Sequence, residues 1–223
     1  MEDFSNYFPI WSKLTAEQQT ELNLSVLTQS FEKGSPIHSG SDDCIGLLVV
    51  KTGQIRVYTI SEEGKELTLY RLLPRDMCLF SASCTMPNIQ FDVMVSAAED
   101  STVFLVPAAV FKALMDNSVA MANYINELMA SHFSEVMWLM DQILNKRMDS
   151  RLAAFLLEEG NFSPERDVVI THDLIAGHLG SMREVITRIL RYFQSEGLVS
   201  LKRGRIRLLD IEKLEELARE SLR

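Results

Sequence analysis

Arginine dominates one short stretch of this chain, Gly180-Ser181-Met182-Arg183-Glu184-Val185-Ile186-Thr187-Arg188, which continues through Arg191 to Gln194. Placed on a helix at 100° per residue, Arg183, Thr187, Arg191, Glu184 and Arg188 fall within an arc of about 140°. Val185, Ile189, Phe193, Ile186 and Leu190 fall between about 200° and 340°, with Tyr192 at the border. A solvated amphipathic helix usually mixes Lys with Glu, whereas this one sets three arginines beside one glutamate. A planar guanidinium can grip the O6/N7 edge of guanine with two hydrogen bonds, and a carboxylate can accept from cytosine N4. The chemistry offered is therefore recognition of base edges in a duplex.

Neighbouring residues supply what such a helix needs to be presented. Ser181 and Glu184 have the S-x-x-E spacing of a capping box, which predicts a helix start there. Upstream, Thr171 can cap a short helix reaching His178, with Ile175 and Leu179 on its buried side and the small Ala176 and Gly177 where a second helix approaches. Gly180 then permits a sharp turn. Downstream of Gly197, residues 198–201, the run Lys202-Arg203-Gly204-Arg205 and residues 206–209 read as a β-hairpin with a basic tip. Behind a helix-turn-helix, such a hairpin is a wing whose tip lies near the phosphate backbone.

The rest of the chain divides by pattern. Thr15 is a plausible N-cap for a short helix over residues 17–24. From about Gln29 to Val106, short apolar runs at 45–50, 55–60, 67–73, 91–97 and 102–106 are punctuated by turn residues such as Thr52-Gly53 and Glu62-Glu63-Gly64-Lys65, which predicts an antiparallel sandwich or barrel. Residues 118–145 contain neither Pro nor Gly, a helix of roughly 40 Å. Met121, Ile125, Met129, Phe133, Val136, Met140 and Ile143 trace a seam along it at spacings of three and four, which predicts pairing with a second copy, the alternative being packing on the chain's own barrel. The polar stretch 145–150 reads as a hinge, with Asp149 or Ser150 capping a helix over 151–159, and residues 160–167 read as a loop. The expected division is a sensing barrel over 1–117, a dimerisation helix over 118–147 and a DNA-binding module over 148–223.

A formal charge of −9 argues against nucleic acid only until it is localised. Residues 1–146 hold 9 Lys and Arg against 18 Asp and Glu, while residues 147–223 hold 13 of each, so the basic residues of the second part are available to one face. With 47% apolar residues the chain can bury a sizeable core. No apolar run approaches the ~18 residues of a membrane span, and the start lacks a secretory pattern, so a cytoplasmic protein with no membrane partner is expected. Three cysteines, Cys44, Cys78 and Cys84, suit free thiols in a reducing compartment.

On these residues the chain resembles the Crp/Fnr family of bacterial regulators over essentially its full length. The residues are the G-x-I-R-V-Y type strand at Gly53 to Tyr58, the long helix and, above all, the 180–188 stretch. The resemblance implies an α+β architecture: a double-stranded β-helix of jelly-roll, cyclic-nucleotide-binding type, a long dimerisation helix and a winged helix-turn-helix. It also implies that Arg183, Glu184, Thr187 and Arg188 serve base reading. Thr171, His172, Arg191, Lys202, Arg203 and Arg205 would then serve phosphate contact. The implied partners are an inverted-repeat site on double-stranded DNA, RNA polymerase if the protein activates, and a small-molecule effector.

Effector identity departs from the family's patterns. Cyclic-nucleotide members hold the phosphate with a Gly-Glu and an Arg-Ser pair, whereas the matching stretch here, 75–84, lacks them, and no Lys or Arg occurs between Arg75 and Lys112. A buried phosphate needs charge-assisted donors, so a cyclic nucleotide is disfavoured. Three cysteines cannot supply a four-thiolate iron-sulfur cluster from one chain. Haem stays open, with His38 or His132 as the axial ligand. Cys78, Ser81, Ser83 and Cys84 stand where the family binds its effector. They read as core packing, as the lining of a pocket for a small polar or uncharged ligand, or as redox-responsive thiols. Two other classes of protein compete: a regulatory module whose winged helix meets protein rather than DNA, and an enzyme on a cupin-like barrel. Against the enzyme, His38, His132, His172 and His178 show no metal-ligand spacing.

Overall fold

Leu47-Leu48-Val49-Val50 runs apolar without alternating, and the structure shows why: this strand is covered on both faces. The computed structural model describes residues 4–40, 45–85, 92–161, 163 and 165–222, without the side chains of 83–85. Its strand β3 (Leu47–Thr52) lies in a four-stranded sheet of order β1-β8-β3-β6, with β1 at Leu27–Phe31, β6 at Met77–Cys78 and β8 at Ser101–Val106. A second sheet runs in the order β2-β7-β4-β5, with β2 at Pro36–Ser39, β4 at Ile55–Ile60, β5 at Glu66–Leu72 and β7 at Met94–Ala97. Leu48 and Val50 turn toward the core they share with Ile55, Val57, Tyr70, Leu72, Cys78 and Val95. Leu47 and Val49 turn the other way, under Phe4, Phe8, Leu22, Phe111 and Leu114. Period-2 side-chain geometry thus feeds one strand into two cores. Gly53 makes the β3–β4 turn at φ 83°, where a Cβ would stand 2.3 Å from Ser101 Oγ and 2.5 Å from the Asp100 carbonyl.

Helix α1 (Ala16–Ser25) is capped as expected: Thr15 Oγ1 accepts from Gln18 N, and Gln18 Oε1 accepts from Thr15 N. The strand expected over 91–97 begins at Met94, and Phe91 lies outside the described residues, as does Cys44. Beyond helix α2 (Ala108–Asn117) runs α3 (Val119–Asn145), and the apolar seam along it splits. Met121 and Ile125 are 0% and 3% exposed inside the core beneath the first sheet, so they cannot also face a second copy. From Met129 onward the helix exposes Phe133, Met137, Trp138, Met140, Ile143 and Leu144, with Val136 half-buried. Periodicity alone does not separate the first turns, which pack on their own chain, from the later ones, which stay exposed.

Chain proximity divides the molecule into two units, Met1–Thr59 with Leu69–Glu135, and Ile60–Thr68 with Val136–Arg223. The second contains α4 (Met148–Gly160), β9 (Asp167–Val168), α5 (His172–Leu179), α6 (Arg183–Ser195), β10 (Val199–Lys202), β11 (Arg205–Leu208) and α7 (Ile211–Ala218). Its sheet has the order β10-β11-β9. Leu152, Leu156, Ile175, Ile186, Leu190, Phe193, Ile206 and Leu214 form its core. Neither Asp149 nor Ser150 caps α4, which already begins at Met148. Asp149 instead holds Arg147 at 2.7 Å, and the buried Ser150 hydroxyl shares a 2.9 Å hydrogen bond with Ser221. Among the described residues, no helix is long and apolar enough to cross a membrane.

Candidate nucleic-acid interface and sensor interior

Thr171 begins the helix-turn-helix, its Oγ1 accepting from Leu174 N at 3.3 Å. Its hydroxyl proton remains available to point outward. At the other end of α5, Gly180 adopts φ 62° and ψ 39°, and Ser181 N returns to the Ala176 carbonyl at 2.9 Å. The left-handed residue reverses the chain within two positions, as a glycine does at little cost. A residue not singled out in the sequence secures this corner. Arg151, 6% exposed on α4, donates from Nη2 to the Leu179 carbonyl at 2.7 Å, placing a cation on the carbonyl end of α5. Burial pulls its pKa below the ordinary guanidinium value.

The capping box expected of Ser181 and Glu184 does not form. Met182 occupies the N-cap of α6 without a side-chain hydrogen bond, and Glu184 is exposed in the first turn. The carboxylate is thereby left outward on the polar face. The two halves of α6 separate as the periodicity requires. Ile186, Leu190 and Phe193 are each 0% exposed, while Arg183, Glu184, Arg188 and Arg191 are exposed.

Two restraints act on that outer face. Arg183 lies 3.5 Å from Asp173 of α5, an exposed pair of little energetic weight. Half-buried Thr187 shares a 2.9 Å hydrogen bond with His172 Nδ1. Burial lowers the His172 pKa below its ordinary 6.5, and the charges of Arg183 and Arg191 lower it further, against Asp173. The neutral imidazole is thereby favoured, and it is hydrogen-bonded to Thr187.

The wing forms as read, with Lys202 paired to Arg205 across a turn in which Gly204 has φ 69°. Lys202, Arg203 and Arg205 are all exposed. Asp167, expected to end the 160–167 loop, instead opens β9 and accepts from Arg207 Nε at 2.7 Å and Nη2 at 2.9 Å, and from Arg205 Nη1 at 3.1 Å. The Arg207 hydrogen bond lowers its carboxyl pKa below the ordinary 3.8. Arg205, opposite Lys202 beside the turn, is thus partly neutralised by Asp167. Only strand pairing brings Asp167 opposite Arg207, which is why residue order gave no sign of it.

Inside the barrel, polar groups face inward. Cys78 is 0% exposed in the core between the sheets, and burial pushes its thiol pKa up, the opposite of a reactive thiolate. Ser81, also 0% exposed, donates its hydroxyl to the Cys78 carbonyl at 2.8 Å. The structure thus places both side chains in the barrel wall. The side chains of Ser83 and Cys84 lie outside the described residues. With Ser81 committed to backbone and no Lys or Arg between 75 and 112, the segment does not fit a nucleotide phosphate. Sequence spacing missed a third feature. Tyr70 of β5 stacks on His132 of α3, ring centroids 4.2 Å apart and planes within 7°.

A three-stranded winged helix-turn-helix presenting an arginine-rich helix defines a DNA-binding transcription regulator. Comparison with known proteins identifies the lineage. Residues 150–217 match a Crp-like helix-turn-helix domain and residues 28–118 a cyclic nucleotide-binding domain. The chain is 31% identical to the fumarate and nitrate reduction regulatory protein of Yersinia pestis over 206 residues, covering 88% of this chain and 80% of that one. A crystal structure of a transcriptional regulator of the Crp/Fnr family from Eubacterium rectale superposes with a TM-score of 0.93 at 53% identity, covering 96% of this chain and 99% of the other. A family member from Thermus thermophilus superposes at 0.68 with 25% identity, covering 86% and 98%. The chain belongs to the Crp/Fnr family of transcription regulators, whose members are not enzymes.

Proposed function

We propose that the protein acts in the cytoplasm as a homodimer that binds inverted-repeat DNA under the control of a signal received in its barrel. In this reading residues 1–117 sense, 118–147 pair and 148–223 read DNA. Arg183, Glu184 and Arg188 contact base edges with Thr187 beside them, and Thr171, His172, Arg191, Lys202, Arg203 and Arg205 contact phosphates. RNA polymerase is the further partner at promoters it activates. Support comes chiefly from one observation. Three exposed arginines and an exposed glutamate share the outer face of α6, whose opposite face is locked by Ile186, Leu190 and Phe193. Exposed apolar residues of α3 from Met129 to Leu144 support the pairing, because a stripe of that size on a lone chain invites a second copy.

A ligand that binds one barrel conformation better shifts the population of α3 arrangements, and with it the spacing of two recognition helices. The test is selection of duplexes from a random library by the full-length protein. Enriched sites should be inverted repeats with half-site centres about 34 Å apart and G·C pairs at conserved positions. Enriched sequences without two-fold symmetry, or no enrichment, would refute the proposal.

A further inference from the structure

Among the described residues three buried side-chain atoms have no hydrogen-bond partner: His38 Nδ1, Tyr70 Oη and His132 Nε2. Two of the three belong to one ring stack. Tyr70 is 8% exposed, with His132 on one side at 4.2 Å and Phe80 beside it at 6.3 Å, interplanar angle 29°. Buried polar groups in native proteins are nearly always paired, and an exception calls for a reason such as a bound molecule. A second copy docking on α3 does not supply the missing partners, because both atoms are already shielded within the single chain.

The donor pattern narrows the occupant. His132 Nδ1 lies 3.1 Å from Glu135 Oε2, one helical turn along α3. A carboxylate accepts only, so Nδ1 carries the proton and, in the neutral ring, Nε2 presents a bare lone pair. Tyr70 Oη can donate or accept. Burial raises the Tyr70 pKa well above 10.0, so its hydroxyl keeps its proton. An occupant must offer a donor to Nε2 and a group compatible with a phenol, against an aromatic wall of Phe80, Tyr70 and His132. The stretch between Arg75 and Lys112 brings no cation for an anionic ligand.

We infer that Tyr70 Oη and His132 Nε2 form the polar end of a binding site for a small uncharged molecule carrying a hydroxyl or carboxamide on an aromatic ring. This rests on the proposed signal-receiving role of the barrel and names its ligand class. Because one ring stands on β5 and the other on α3, occupancy bears directly on the position of the long helix.

Phenol and benzamide are the probes, titrated onto the full-length protein by calorimetry and thermal shift. At least one should bind and raise the melting temperature, and binding should weaken at least tenfold in both Tyr70→Phe and His132→Phe, which keep the ring stack. Without probe, Tyr70→Phe should melt at the same temperature as the parent or a few degrees higher, since it removes an unpaired buried hydroxyl. Nitrogen NMR of His132 should show Nδ1 protonated and Nε2 not. Failure of both probes to bind, binding indifferent to the two substitutions, a marked fall in the Tyr70→Phe melting temperature, or a proton on Nε2 would each overturn the site. A haem Soret band in the purified protein would overturn the ligand class. DNA affinity measured with and without probe is a separate readout. Unchanged affinity beside intact probe binding would overturn the signalling role while leaving the site standing.

Discussion

Polar chemistry faces outward on α6 and inward in the barrel, and the two arrangements leave different traces in a sequence. On α6 every arginine is separated from the core by the helix itself. Burial of Ile186, Leu190 and Phe193 at a period of 3.6 compels Arg183, Thr187 and Arg188 onto the opposite face. Nothing comparable announces Tyr70 and His132, which meet only when β5 is folded beside α3. One region is specified by residues within a few turns of one another, the other by tertiary contact. Four predictions divide the recognition side along that line, after one that concerns α3.

The largest effect belongs to α3. Phe133→Asp places a charge in the exposed apolar stripe, where Phe133 is 66% exposed and contributes nothing to the barrel core. Sedimentation should show monomers, with the melting temperature of the barrel core nearly unchanged. Affinity for an inverted repeat should fall at least about 10³-fold, toward non-specific binding. A variant that remains dimeric removes α3 from the interface.

The two faces of α6 should then part company. Leu190→Ala empties a fully buried position and should destabilise the C-terminal unit by about 2–5 kcal/mol in denaturant titration. Arg188→Ala should leave stability within about 0.5 kcal/mol and reduce discrimination between cognate and scrambled duplexes by about 1–3 kcal/mol. Equal loss on both duplexes would make Arg188 a phosphate contact. Neutralising Lys202 and Arg203 should do just that, flattening the salt dependence of log affinity by about 0.9 per side chain.

Legibility followed the same division. Thr15, Thr171 and Gly180 mark helix ends through local hydrogen bonding or a left-handed backbone, and each stands where the sequence put it. Ile55–Ile60 and the wing strands were readable because turn residues bracket them. Ser181 and Glu184 have the spacing of a capping box, yet the chain enters α6 at Met182, one residue later, so the spacing had no cap to make. Asp149 and Ser150 misled similarly, since α4 starts early and Ser150 is drawn to Ser221 at the far end of the unit. Arg151 on the Leu179 carbonyl and Asp167 on Arg207 join residues with no periodic relation. Cys78 and Ser81 lie in a family-relevant segment, but the burial of Cys78 follows from pairing of β6 with β3, and Ser81 is tied to the Cys78 carbonyl.

His172 offers the finest test, because it stands between the buried and exposed sides of the recognition module. Its pKa is lowered first by burial and then by Arg183 and Arg191, with Asp173 opposing. The folded protein therefore holds this proton less readily than the unfolded chain. Its contribution to stability is full above the ordinary value of 6.5 and declines as pH falls below it. A DNA phosphate would act oppositely, favouring the imidazolium and drawing a proton into the complex. If His172 meets phosphate, acidification from pH 7.5 to 6.5 should strengthen binding to any duplex by less than about tenfold, the ceiling for one linked proton per pH unit. Acidification below pH 6.5 should weaken the free protein, and both trends should vanish in His172→Gln. Affinity that is flat with pH while stability still falls would confine His172 to holding Thr187.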